Sequence, residues 1–268
     1  MKKLITIISI ILLSVCCEED IKWDLKTQKS NIIVVEGMIT NERTQHQVRL
    51  TRPVQRLNET PEPVSGATVT ISDQNSTFIL DEYPEGSGLY LTDSIRGVFG
   101  RLYILEIKTV DKEYSAEATM VAVTPFDTLE YSLASASGNL FQLIHRNNSD
   151  EPSMTEYYLD WSDVPGFKDA DPCRAKIVYY SLNTIDAGEM FRPESEQLLF
   201  PAGTIVSRRK YSMNEAQAAF IRTLLSETEW RGGLFDIQPG NVQTNLSEGA
   251  VGYFSASTVI TDSTIISP

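Results

Sequence analysis

The sequence predicts a mainly β protein: an N-terminal sandwich of the immunoglobulin or transthyretin kind, followed by a second β-rich unit carrying one amphipathic helix at about 213–229. Three observations predict it. Short β-branched or alternating segments recur from Ile32 to Met120 at intervals of about 8–12 residues, with turn residues between them. No helical periodicity interrupts that series. Only one stretch, opening at Ser212, combines a helix-start signal with an apolar stripe.

The chain opens Met1-Lys2-Lys3 and runs from Leu4 to Val15 with only Thr6, Ser9 and Ser14 among the aliphatics. That is the charged and apolar make-up of a signal peptide, and it is shorter than the ~20 apolar residues a bilayer span needs. Cys16 and Cys17 stand at its end, where a lipoprotein signal peptidase leaves the residue to be acylated. Cys17 is the expected lipid carrier, because Cys16 before it is nearly as small as Ser, whereas Val15 before Cys16 is branched. Cys16 is the alternative. Several acyl chains, at ~0.8 kcal/mol per buried CH₂, would hold the chain to outer-membrane lipid. Residues 1–16 are thus read as the leader and 17–30 as a lipidated tether, whose Glu18-Glu19-Asp20 resembles the surface-export signal of Bacteroidota lipoproteins.

The sandwich is expected over residues 31–124. Ile32–Thr40, Gln47–Thr51, Val64–Ile71, Thr77–Leu80, Leu89–Leu91, Leu102–Lys108 and Tyr114–Met120 read as its strands, with Pro53–Pro63 and Pro84–Gly88 as loop and turn. Residues 125–268 form the second unit, with strands at Leu140–Ile144, Glu156–Trp161, Lys176–Leu182 and Val251–Val259. In its helix Ser212 caps and Glu215 reaches back. Met213, Ala216, Phe220 and Leu224 share the packing face beside Gln217, and Asn214, Glu215, Ala218 and Arg222 point away. Arg208-Arg209-Lys210, just before it, reads as a solvated loop tip or a clasp on the acidic surface.

Net charge is −13, which argues against nucleic acid as a partner. Cys173 is the one cysteine left after the leader pair, so no internal disulfide is expected and the thiol reads as a small buried hydrophobe. His46 and His145 are too few and too far apart for a histidine zinc site. No nucleophile elbow and no phosphate loop is present, so the expectation is a non-enzyme without a cofactor beyond the lipid. Asp160, Asp163, Asp169 and Asp171 are the candidates for Ca²⁺, although they lack the EF-hand spacing; the alternative is a solvated acidic loop. Trp230 and Trp161, with Phe167 and Tyr253, are the candidates for a ligand platform, since sugars and peptides stack on such rings; aromatics in a β domain otherwise serve the core. Ser94, Thr128 and Ser263 follow Asp in triplets resembling the Bacteroidota O-glycosylation acceptor.

Several blocks, in this order, carry a wider resemblance. They are Cys16-Cys17 with its acidic followers, Val34–Ile39, Pro63–Val69, Gly86–Tyr90, Pro239–Val242, Asn245 and Val251–Ser257. Together they resemble the family known as domain of unknown function 4249, outer-membrane lipoproteins of Bacteroidota, over nearly the whole mature chain. The residue before the acylated Cys departs from the usual pattern. What the resemblance implies is a surface accessory of a TonB-dependent outer-membrane barrel, taking part in ligand capture or gating of nutrient uptake. The alternative is a structural or adhesive surface lipoprotein with no transporter.

Overall fold

The computed structural model describes residues 32–54, 56, 58–134, 139–145, 151–168, 172–184, 190, 197–231 and 240–268. The leader, Cys16, Cys17 and the tether lie outside the described residues. The strands are β1 (Ile33–Thr40), β2 (Thr44–Thr51), β3 (Thr68–Ser72), β4 (Thr77–Glu82), β5 (Leu89–Ile95), β6 (Leu102–Lys108) and β7 (Glu113–Thr119). Then come β8 (Glu130–Leu133), β9 (Leu140–Ile144), β10 (Ser153–Asp160), β11 (Arg174–Ser181), β12 (Phe200–Pro201), β13 (Ile205–Ser212), the helix α1 (Glu215–Glu227), β14 (Ala250–Ser257) and β15 (Val259–Ile265). The protein is mainly β with one helix, as the strand spacing predicts.

Strict alternation makes the first sheet. In β2, His46, Val48 and Leu50 are buried while Gln45, Gln47 and Arg49 face water; β7 alternates Tyr114, Ala116 and Ala118 against Glu113, Ser115 and Glu117. Eight strands pair in the order β14-β1-β2-β5-β4-β3-β6-β7. β4 turns the corner: Phe78 and Leu80 pair with Ile71 and Val69 of β3, and Asp81 and Glu82 pair with Leu91 and Tyr90 of β5. The two walls on either side of β4 share one core, which includes Ile33, Val35, Leu50, Tyr90, Leu105 and Phe254. Buried Tyr90 satisfies its hydroxyl by donating to the Val64 carbonyl (2.9 Å) and accepting the Ala67 amide (3.0 Å). Glu82 accepts from Ser65 Oγ and from the Gly66 and Gly88 amides. These bonds fasten the Pro63–Val69 and Gly86–Tyr90 segments to the sheet.

The far edge nearly closes through Asn245. Its amide donates to the Glu117 carbonyl of β7 (2.8 Å) and the Phe254 carbonyl of β14 (2.7 Å), and its Oδ1 accepts the Phe254 amide (3.1 Å). Bridges from Ala116 to Leu246 and from Val121 to Ser257 extend the seam. β14 itself pairs in parallel with β1, Ile33 against Ala250 through Thr40 against Ser257. At Gly252 φ is +98°, and an added Cβ would lie 2.1 Å from the Val35 carbonyl oxygen. Only glycine fits there.

Beyond β7, the sheet β11-β10-β13-β15 faces the smaller sheet β12-β9-β8 across a second core built on Phe141, Tyr157, Leu159, Trp161, Phe200 and Val206. Free Cys173 packs half-buried against it. α1 covers the opposite face of β10 and β11, where Met213, Ala218, Leu225 and Trp230 meet Leu182, Met154 and Tyr180. Asn41 exchanges hydrogen bonds with Val259, Ser212 Oγ donates to the Val121 carbonyl, and Glu42 pairs with Arg209. Residues 32–268 are therefore one compact unit. The boundary expected after residue 124 falls inside it, because β14 returns to the first sheet.

Two local expectations are corrected. Arg208-Arg209-Lys210 is not a loop tip but the middle of β13, with Arg208 and Lys210 buried, because Asp262, Phe126 and Thr124 supply polar and aromatic partners on the inner side. The helix is capped by Asn214, whose Oδ1 accepts the Gln217 amide (2.8 Å), while Ser212 is already engaged at Val121 and Thr258. Its core face is Ala218, Ile221 and Leu225 rather than Ala216, Phe220 and Leu224. Ala216 is exposed.

Two outcomes follow for stability. Gly252→Ala should lose roughly 2–4 kcal/mol from strain and the clash with Val35, and Asn245→Ala about 2 kcal/mol from unsatisfied carbonyls and amide, both read by urea unfolding of tryptophan fluorescence. Burial pushes the His46 pKa below the ordinary 6.5, against the pull of the Ile95 carbonyl and the Glu42 carboxylate. Below 6.5 the unfolded chain then binds a proton that the folded one refuses, so stability falls as pH drops through 6.5 and levels off under the folded value. His46→Gln should reduce the loss in melting temperature between about pH 7.5 and 5.5.

Candidate functional site

The apolar arc of α1 is wider than the sheet beneath it requires. Ala218, Ile221 and Leu225 reach the core, whereas Phe220 and Leu224 are only half-buried and look toward the outer face of the β14–β1 pair. Between them lies a groove of about 1140 Å³. β1 presents Val34, Glu36 and Met38 to it, and β14 presents Val251 and Tyr253, because alternate residues of both strands point away from the first core. Gly240, Asn241 and Val242 form the rim that follows the helix; residues 232–239 are outside the described residues.

Within the groove Phe220 stacks on Tyr253 with centroids 4.9 Å apart. Burial raises the Tyr253 phenol to about 12, so it remains a neutral donor, directed at Asn214 Oδ1 (3.5 Å). Gln217 is buried and its Oε1 has no hydrogen-bond partner. A buried amide oxygen left unpaired costs about 1–3 kcal/mol, and the residue that carries this one lines the groove. The arrangement suits an elongated apolar ligand or segment that brings one N–H or O–H to Gln217; among the described residues that line it, no nucleophile is paired with a base.

The residues singled out in the sequence are dispersed. Trp161 and Trp230 are each 4 % exposed and belong to the second and third cores; Tyr253, of the same expected platform, lines the groove beside half-buried Phe220. Phe167 packs half-buried beside Trp161. Asp160 accepts from Ser162 Oγ (2.6 Å), the Ser162 amide (3.0 Å) and Arg174 Nε (2.8 Å), which together bring its pKa to about 2. Its oxygens are therefore engaged by protein donors. Asp163 is exposed, and Asp169 and Asp171 lie outside the described residues. Among the described residues no group of three or more His, Cys, Asp or Glu is placed to hold a metal. Ser94, Thr128 and Ser263 are all exposed, on β5, before β8 and on β15.

Residues 18–263 match the model of a family described as domain of unknown function DUF4249. The chain belongs to that family. No curated protein matches it. In this DUF4249 chain the blocks Val34–Ile39, Gly240–Val242 and Val251–Ser257, far apart in sequence, meet along the groove. Pro63–Val69 and Gly86–Tyr90 serve the Tyr90 and Glu82 ties, and Asn245 closes the sheet. The groove was missed in the sequence because its two strands are neighbours only after folding. The one signal was Gln217 beside the apolar stripe. If Oε1 is unpaired in the free protein, Gln217→Met should leave stability unchanged or raise it by about 1 kcal/mol in urea unfolding, and a loss of that size would show a bond to it.

Proposed function

We propose that this chain is a surface-exposed, lipid-anchored outer-membrane protein that acts without catalysis as an accessory of a TonB-dependent barrel. It takes hold of the transported ligand, or of an apolar segment of the barrel's mouth, through the groove beside α1. The observation that carries this reading is the apolar side of α1, Phe220 and Leu224, facing Val251 and Met38 of the β14–β1 pair across a groove large enough for a peptide-sized occupant. The leader with Cys16-Cys17, the acidic tether and the family resemblance support the location. Val251 lies on the outer face of β14 and is 40 % exposed, so a charge there alters the groove without entering the core.

Affinity purification of the tagged full chain from native outer membranes in mild detergent tests the proposal. A TonB-dependent barrel should accompany the wild type in stoichiometric amount and fall by roughly tenfold with Val251→Glu, since burying an unpaired carboxylate costs more than 1.4 kcal/mol. Recovery of the chain alone would favour the adhesive or structural reading.

A further inference from the structure

A second cavity lies on the far side of β10 from α1. Along β10 and β13 the inner face changes character. Leu159 and Val206 belong to the second core, but the next rows are Tyr157 with Arg208, Thr155 with Lys210, and Ser153 between Ser181 and Ser212. This polar end of the sheet floors a cavity of about 70 Å³, walled by the 126–130 segment and His145. A space of this size admits a carboxylate-sized group.

Its donors are fixed by their neighbours. Arg208 pairs with Asp262, donates Nη1 to the Asp127 carbonyl (2.9 Å) and lies over the Phe126 ring (4.4 Å). Lys210 Nζ donates to Thr124 Oγ1 (2.8 Å) and the Pro125 carbonyl (3.3 Å), and among the described residues no carboxylate is within ion-pair reach of it. The third ammonium proton is left for the cavity. His145 is held flat against Tyr179 at 4.2 Å. Arg208, Ser153 and His145 line this cavity, and among the described residues their buried Nε, Oγ and Nε2 have no hydrogen-bond partner. Ser153 is only 2 % exposed.

We propose that this cavity binds the carboxylate group of a small organic ligand, with Lys210, Arg208 Nε and Ser153 Oγ as its donors. Buried charge without a counter-charge is costly, and Arg208 already has Asp262, so Lys210 is the cation that a carboxylate would compensate. Burial pushes the Lys210 pKa down, with Arg208 acting in the same direction and Asp127 and Glu151 opposing it. Neutral His145, its pKa lowered by burial and by Lys210, supplies Nε2–H in the appropriate tautomer. Exposed Asp127 and Glu130 stand on the wall, so the local field disfavours a dianion and selects a singly charged group.

The test titrates the purified full chain in detergent with ¹³C-acetate, with inorganic phosphate in a separate arm and chloride as the ionic-strength control, following the acetate resonance and the melting temperature. Saturable 1:1 binding of acetate is expected, weakened roughly tenfold or more by Lys210→Met and largely kept by Lys210→Arg. Should Lys210→Met fail to fold by circular dichroism, Ser153→Ala is the deciding variant, and it too should weaken binding. Absence of saturable acetate binding to the wild type, or equal binding by the folded variants, overturns the proposal. Tighter binding of phosphate than of acetate overturns the choice of carboxylate.

Discussion

The parallel pairing of β14 with β1 is the constraint on which the rest of the structure depends. It joins segments as distant as Gly37 and Ser255, 218 positions apart in the chain, so the intervening chain must be folded back before the first sheet is complete. Parallel neighbours require a long connection, and here the chain between them contains β2 to β13 and α1. Gly252 permits the close approach to Val35, and Asn245 then links the same strand to β7. With β14 seated, one hydrophobic core is enclosed on its inner side. On its outer side the strand pair becomes the wall of a groove.

The polar features follow from the same economy of faces. A sheet face that is covered must be apolar or fully bonded. The inner face of β10 and β13 begins apolar at Leu159 and Val206 and ends with Arg208, Lys210, Thr155 and Ser153, whose partners include Asp262, Asp127 and Thr124. Three of the polar atoms at that end remain unpartnered, as does Gln217 Oε1 in the groove. Native interiors rarely leave such atoms unsatisfied, which is why the residues that carry them are the ones to test.

Much of the first sheet was legible because its signals are local. Tyr114–Met120 alternates strictly and Leu102–Lys108 opens on an apolar run, and each becomes a strand, with Tyr103, Leu105, Ile107, Tyr114, Ala116 and Ala118 inside. β13 was illegible because its inward Arg208 and Lys210 are compensated by residues 54 to 86 positions away, which no window of sequence reveals. β15, with Thr261, Asp262 and Ser263 in its middle, has too little apolar alternation to announce an edge strand. The helix was legible in place but not in face, since the choice between Ala218–Leu225 and Phe220–Leu224 is made by Met154, Tyr180 and Leu182. Trp161 and Trp230 drew attention by type and are core residues, whereas the stacking of Phe220 on Tyr253 depends on the position of β14.

The central claim is that the face between α1 and β14 is the working surface of this protein. The most direct measurement is site-specific photocrosslinking in intact outer membranes, with the reactive side chain placed either at Val251 in the groove or at exposed Tyr83 outside it. The account predicts a discrete adduct with an outer-membrane barrel or its ligand from position 251 and none from position 83. Equal adducts from both positions, or an adduct from position 83 alone, would contradict it.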